Sequence, residues 1–173
     1  MRKLETSALR EEINTLKAGD SVLLSGVIYT ARDAAHARIC SILKSGGELP
    51  FPLEDAVIYY AGPTPAPDGL PIGSCGPTTS VRMDAFTPAL IENGIVATIG
   101  KGNRGSDVVA AMKKYGAVYF CAVGGAGAIA AKYVKKAEII AFDELDCEAV
   151  RRLEIEDFPL IVGIDAAGNS ILQ

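Results

Sequence analysis

Tryptophan is absent from this sequence, histidine occurs once, and aromatic residues make up only 6%. A chain so poor in aromatics, with 18 glycines, suits close-packed β-α units better than an all-β sandwich. Positive charge is also in short supply: 17 lysines and arginines face 21 acids, for a net charge of −4. That balance argues against nucleic acid as the main partner, because phosphate binding needs a basic surface or stripe. It leaves room for a local cationic pocket. No apolar run reaches the length of a membrane span. The cysteines Cys40, Cys75, Cys121 and Cys147 are scattered, with no Cys-x-x-Cys pair. With that spacing and a single histidine, a complete metal or iron–sulfur site is not expected from this chain alone. Three of the four cysteines lie in or beside apolar runs and no secretory signal precedes them, so the reading is a reduced, cytoplasmic protein.

What is present is a core: 49% of the 173 residues are hydrophobic, enough for one domain over the whole chain, 1–173. Residues 7–17 read as an amphipathic helix, 22–29 as a buried strand with a bulge at Gly26, and 30–44 as a helix stopped by Gly46-Gly47. A strand at 56–61 leads into a proline-rich connection, 62–71, with no regular ladder bonds. A short helix at 80–86 precedes a second one, with Thr87 as N-cap and Pro88 at its first position. Then come a strand (95–99), a helix capped by Ser106 (106–115), a strand (117–123), a helix (127–135) and a strand (137–142). The tail reads as strands at 150–155 and 160–164 with a hairpin turn at 167–169.

The chemistry gathers around 73–84, Gly-Ser-Cys-Gly-Pro-Thr-Thr-Ser-Val-Arg-Met-Asp. Two vicinal hydroxyls, Thr78 and Thr79, share a Gly-Pro turn with Arg82 and Asp84. The two threonines are also plain candidates for helix caps, and Cys75 for a small buried residue. Arg32, Arg82 and Lys101 all fall at strand-to-helix junctions, where α/β sheets place ligands. Together they would suit carboxylates, the arginines by forked hydrogen bonds and the lysine as a point charge. His36 is the first chemical candidate for a general acid or base. Its alternative is structural, held by a backbone carbonyl or by Asp33. Two stretches match dinucleotide fingerprints: Gly100-x-Gly102-x-x-Gly105 and Gly125-x-Gly127-x-x-Ala130. For the second, a tight turn between strand and helix is the simpler reading.

The stretches TARDAAH (30–36), GPTTSVRMD (76–84), IGKGNRG (99–105) and VGGAGA (123–128) resemble the β subunit of the class I, iron–sulfur-dependent fumarate hydratase and L(+)-tartrate dehydratase family. The resemblance runs in order over essentially the whole chain. It implies an α/β fold, a swivelling β/β/α-type domain with a mixed, mostly parallel central sheet or barrel flanked by helices. It implies a hydro-lyase site shared with an α subunit that carries a [4Fe-4S] cluster, with no metal ligand in this chain. By motif position, Thr78 would take the proton from carbon. Arg32, Thr79, Arg82 and Lys101 would hold a C4 dicarboxylate, and Asp33, His36 and Asp84 would support them. The expected assembly is a hetero-oligomer, with a homodimer as the alternative for the isolated chain. Two readings of other classes stay open: a dinucleotide-binding module and a non-catalytic interaction subunit.

Overall fold

The computed structural model describes residues 1–123 and 125–172. Five strands run parallel in chain order: β1 (Arg2–Glu5), β2 (Ser21–Thr30), β3 (Val57–Tyr59), β4 (Ala97–Gly100) and β5 (Val118–Cys121). β6 (Val134–Ala141) and β7 (Val150–Ile164) follow, with β7 antiparallel to β2, β5 and β6. Because β7 pairs with β5 through one end and with β2 along most of its length, strands β2-β3-β4-β5-β7 close into a barrel. β1 shares an edge of β2 with β3, and β6 shares an edge of β7 with β5. Helices α1 (Leu9–Glu12), α2 (Asp33–Ser45), α3 (Thr87–Glu92), α4 (Ser106–Tyr115) and α5 (Gly127–Ala131) flank it. This is the α/β class expected from the sequence, with a mostly parallel sheet closed on itself.

Alternation along the strands sorts the core. Val57, Tyr59, Ala97, Ile99, Val118, Phe120, Leu153 and Val162 point into one cluster at the barrel centre. Their neighbours point outward beneath the helices: Ile58 and Tyr60 join Ala35, Ile39, Met83 and Leu90, while Tyr119 and Ile164 join Val108 and Met112. Strands buried on both faces explain why the sequence shows continuous apolar runs rather than alternation.

Several expected boundaries move. The 7–17 segment is only one α-turn, α1, between two short 3-10 turns, and β1 precedes it. β1 has a single buried side chain, Leu4, so its sequence carries no strand pattern. The register shift at Gly26 is present, with φ 113°. The expected 127–135 helix stops at Ala131, and β6 begins at Val134. Lys, Ala and Glu favour a helix here. Tertiary contact overrides them: the Tyr133 carbonyl accepts the Glu156 amide at 2.9 Å and its ring stacks on Phe158. The two expected tail strands are one, β7. Pro159 lies opposite Leu23, and its other edge falls between the residues that pair with β6 and those that pair with β5. Its missing N–H therefore breaks no ladder on that side. Asp165 braces the tail turn by accepting the Ala167 and Asn169 amides.

Candidate active site

The carboxyl ends of β2, β3 and β4 open on one side, and the Gly-Pro-Thr-Thr turn is stitched across them. The Thr78 amide donates to the Tyr60 carbonyl at 2.7 Å, just past β3. The Ser80 amide donates to the Lys101 carbonyl at 2.9 Å, just past β4, and Thr79 bridges Lys101. A chain that leaves β3 through four prolines cannot form its own ladder, so the strand ends fix it instead. Arg32 is the N-cap of α2, directly beyond β2.

This arrangement brings four of the expected side chains into one line. Arg82 grips Asp33 with a fork, Nε to Oδ1 at 3.1 Å and Nη2 to Oδ2 at 2.6 Å. The other arm of its guanidinium, Nη1, makes a long hydrogen bond of 3.4 Å to Thr78 Oγ1. Arg32 Nη2 lies 3.9 Å from Asp33 Oδ2, and Arg32 Nε lies 3.9 Å from Glu148 Oε1. The Arg32 side chain lies across Gly62, where any Cβ would stand 2.7 Å from Nη1. Thr79 and Lys101 join through the backbone; among the described residues the Lys101 ammonium has no ion pair. The Arg82–Asp33 pair is half exposed, 48% and 36%, so it adds little to stability and its carboxylate partner is exchangeable.

Asp84 turns away from this line. It accepts Arg104 Nε at 2.7 Å and the Gly105 amide at 2.5 Å. The start of α4 thus already holds a carboxylate, the position a dinucleotide phosphate would need. The caps of α3 and α4 are Phe86 and Gly105, without side-chain bonds, rather than Thr87 and Ser106. Thr87 Oγ1 donates to the Met83 carbonyl instead. The second glycine match is a packing contact: a Cβ on Gly127 would stand 2.9 Å from the Gly76 amide nitrogen. Gly124, in the same stretch, lies outside the described residues.

His36 is fully buried and, among the described residues, hydrogen-bonds to no acid. Its Nδ1 lies 2.8 Å from the Arg32 carbonyl, so Nδ1 carries the proton and Asp33 is left for Arg82. Burial, and then the nearby Arg104 charge, push its pKa down to about 4 against the pull of the Arg32 carbonyl and Asp33. The ring is neutral in neutral solution, unsuited to a base that must cycle in contact with substrate. The unfolded chain binds a proton near pH 6.5 that the folded chain refuses. Stability is therefore full above pH 6.5 and is lost as pH falls toward about 4, by about 3 kcal/mol. Urea unfolding of the wild type and of His36→Asn between pH 7 and 5 tests this. The wild type weakens relative to the variant as pH falls; parallel curves would refute it.

The Cys75 thiol is buried, with its pKa pushed up to about 12 by that burial, and its carbonyl accepts the Tyr59 hydroxyl at 2.6 Å. It is a packing residue, not a nucleophile. Among the described residues, no group of three or more His, Cys, Asp or Glu side chains is placed to hold a metal ion. The cysteines differ in setting, Cys40 and Cys75 buried, Cys121 half-buried and Cys147 exposed, and with no such group among the described residues they offer no ligand set for an iron–sulfur cluster.

The family model described as Fumarase C-terminus matches residues 2–173. The chain belongs to the fumarase C-terminus family. It is 43% identical over 170 residues to the putative L(+)-tartrate dehydratase subunit beta of Methanocaldococcus jannaschii, covering 95% of this chain and 87% of that protein. It is 40% identical over 165 residues to fumarate hydratase 2 of Leishmania major, covering 94% of this chain and 29% of that one. With the anaerobic class I fumarate hydratase of Escherichia coli it shares 41% over 152 residues, 87% of this chain and 28% of the other. The chain thus spans under a third of the length of these fumarate hydratases.

Two residues of this family member escaped the sequence reading. Arg104 sits inside the IGKGNRG motif, whose glycine spacing does not announce it. Its side chain is 0% exposed. Besides Asp84 it donates to Thr98 Oγ1, Thr87 Oγ1 and the Tyr60 hydroxyl, and it lies against the Tyr60 and Tyr119 rings. Burial works against its charge, but Tyr60 and Asp84 outweigh it and its pKa is raised. Glu148, beside Arg32, ends a polar 3-10 segment with no motif to announce it. Among the described residues, no helix is long and apolar enough to cross a membrane.

Proposed function

We propose that this chain is the β subunit of a hydro-lyase that hydrates fumarate reversibly to L-malate. The observation that carries the reading is the continuous line Thr78–Arg82–Asp33–Arg32 on the strand ends that also present Lys101. Three cations there suit a dicarboxylate, with Thr79 beside it. In the malate-to-fumarate direction Thr78 Oγ1 accepts the proton from carbon as the neighbouring carbon loses its hydroxyl as water, and in hydration it returns that proton. A threonine hydroxyl is a poor base in water, and the Arg82 guanidinium against it lowers the cost of its oxyanion form. Removing that proton gives the dianion carbanion character, so the surrounding cations act most strongly in the transition state. Supporting the reading are relatives named as fumarate hydratases and as a tartrate dehydratase subunit.

The [4Fe-4S] cluster on which this chemistry depends is assigned to a partner α subunit, in a hetero-oligomer. Four free cysteines suit a reducing compartment, and the cytoplasm is the proposed one. L(+)-tartrate dehydration is the second reading. It is favoured by the relative whose length this chain nearly fills, 87% of it, where the fumarate hydratases are matched over less than a third.

The test is anaerobic co-production with the α subunit, followed by assays against fumarate, L-malate, L-tartrate and methyl-substituted malates. The expected result is fumarate turnover by the pair and none by this chain alone. Turnover of tartrate alone would select the second reading. A cluster-loaded pair inert toward all of these diacids would overturn both.

A further inference from the structure

One main-chain carbonyl in the site takes two donors. The Arg32 oxygen accepts the His36 amide at 2.8 Å, the first bond of α2, and also His36 Nδ1–H at 2.8 Å. The imidazole that supplies the second donor is fully buried. It stands edge-on to Tyr60 at 5.4 Å and tilted against Phe86 at 5.8 Å. Its other nitrogen, Nε2, is buried with no hydrogen-bond partner among the described residues. A phenyl ring in this slot would pack the same apolar walls without stranding an acceptor. What histidine adds over phenylalanine is therefore the Nδ1–H alone.

That single bond acts at a point of leverage. Arg32 has extended backbone, φ −122° and ψ −160°, and the chain turns into α2 at the next residue. The carbonyl orientation there sets two directions at once. One is the course of the Arg32 side chain across Gly62 toward Glu148. The other is the position of Asp33, whose carboxylate holds the Arg82 fork beside Thr78. We infer that His36 is a positioning residue whose Nδ1–H, locked on the Arg32 carbonyl, fixes where the two arginines stand. His36 thus reaches substrate through Arg32 and Asp33 rather than by contact. The part of this inference that concerns dicarboxylate binding rests on the function proposed above; the tautomer and the turn do not.

Asparagine and glutamine separate the two ring nitrogens. The amide nitrogen of asparagine falls where Nδ1 stands, and that of glutamine where Nε2 stands. The experiment uses the assembled, cluster-loaded complex with His36→Asn, His36→Gln and His36→Phe, measuring kcat and KM for fumarate and L-malate. His36→Asn is expected to keep KM within about threefold of wild type, while His36→Gln and His36→Phe raise it about tenfold. A merely structural ring predicts the opposite order, with His36→Phe preserving the packing and the kinetics and His36→Asn failing. Equal KM values for the asparagine and phenylalanine variants would overturn the inference.

A second arm needs no activity. Nitrogen-15 NMR of the imidazole in the folded chain is expected to show a protonated Nδ1 and a bare Nε2 from pH 7 to 5. Protonation at Nε2 instead would also overturn the inference. If the wild-type complex turns over no diacid at all, the proposed function fails, and the tautomer alone decides the case for His36.

Discussion

Replacing Arg104 with alanine is expected to lower folding stability by about 4 kcal/mol, read as a shift of the urea midpoint at unchanged slope. The size follows from what the guanidinium leaves behind. Asp84, whose side chain is 17% exposed, loses its Nε partner at 2.7 Å. Thr98 Oγ1, Thr87 Oγ1 and the Tyr60 hydroxyl each lose a donor in a buried setting. The Tyr60 and Tyr119 rings lose the cation packed at 5.2 and 5.0 Å. Lysine is not a remedy, because one ammonium cannot serve these oxygens in four directions as the planar fork does. Adding Asp84→Asn to Arg104→Ala is expected to recover about 1–2 kcal/mol, since the stranded charge is then gone. Full recovery is not expected, because Asp84 also accepts the Gly105 amide at the start of α4. A loss under about 1 kcal/mol in Arg104→Ala would mean that water satisfies these groups and that the network is not a structural keystone.

The contrast between Arg104 and Arg82 shows which parts of this molecule its sequence discloses. Both follow a glycine-containing stretch and lie within two residues of a serine. Arg82 is exposed and adjoins a Gly-Pro-Thr-Thr turn, so its motif marks it as a candidate ligand-binding cation. Arg104 does not stand out in the same way, because burial of a charge depends on partners distant in the chain: Tyr60, Asp84 and Thr87 precede it by 44, 20 and 17 positions. The strands were legible for a related reason. The run 56–61, and 95–99 apart from Thr98, is apolar, and a strand buried on both faces has that signature. β1 and β6 have one face or less in the core, so their patterns are too weak to read, and the start of β6 has the composition of a helix. Barrel closure is likewise invisible locally. It arises because β7 meets β5 at one edge and β2 at the other, and the β2 partners lie more than 100 positions away in the chain. The dinucleotide fingerprints misled by the same mechanism. Glycine spacing reports close approach of a backbone, and here what approaches is Gly76 to one turn and Asp84 to the other, not a phosphate.

The largest functional effect is expected at Thr78. In the assembled, cluster-loaded complex, Thr78→Ala should reduce kcat about 10²- to 10⁴-fold while leaving KM for the dicarboxylate near wild type. The argument is positional. Thr78 Oγ1 touches Arg82 Nη1 at 3.4 Å, whereas Arg82 keeps its grip on Asp33 through Nε and Nη2. Losing the hydroxyl therefore removes the proposed proton acceptor while Arg82 keeps its fork on Asp33. Thr79→Ala is the matched control for a neighbouring hydroxyl. Thr79 is bound into the turn by its backbone beside Lys101; with the substrate-positioning role proposed for its side chain, a rise in KM larger than the fall in kcat is expected. Thr78→Ser should retain a measurable part of kcat because the oxygen survives. Loss of deuterium exchange at the substrate carbon in Thr78→Ala would place the defect at proton removal itself. Wild-type exchange in that variant, or equal kinetics for the two alanine variants, would exclude Thr78 as the base and move the search to groups brought by the partner subunit.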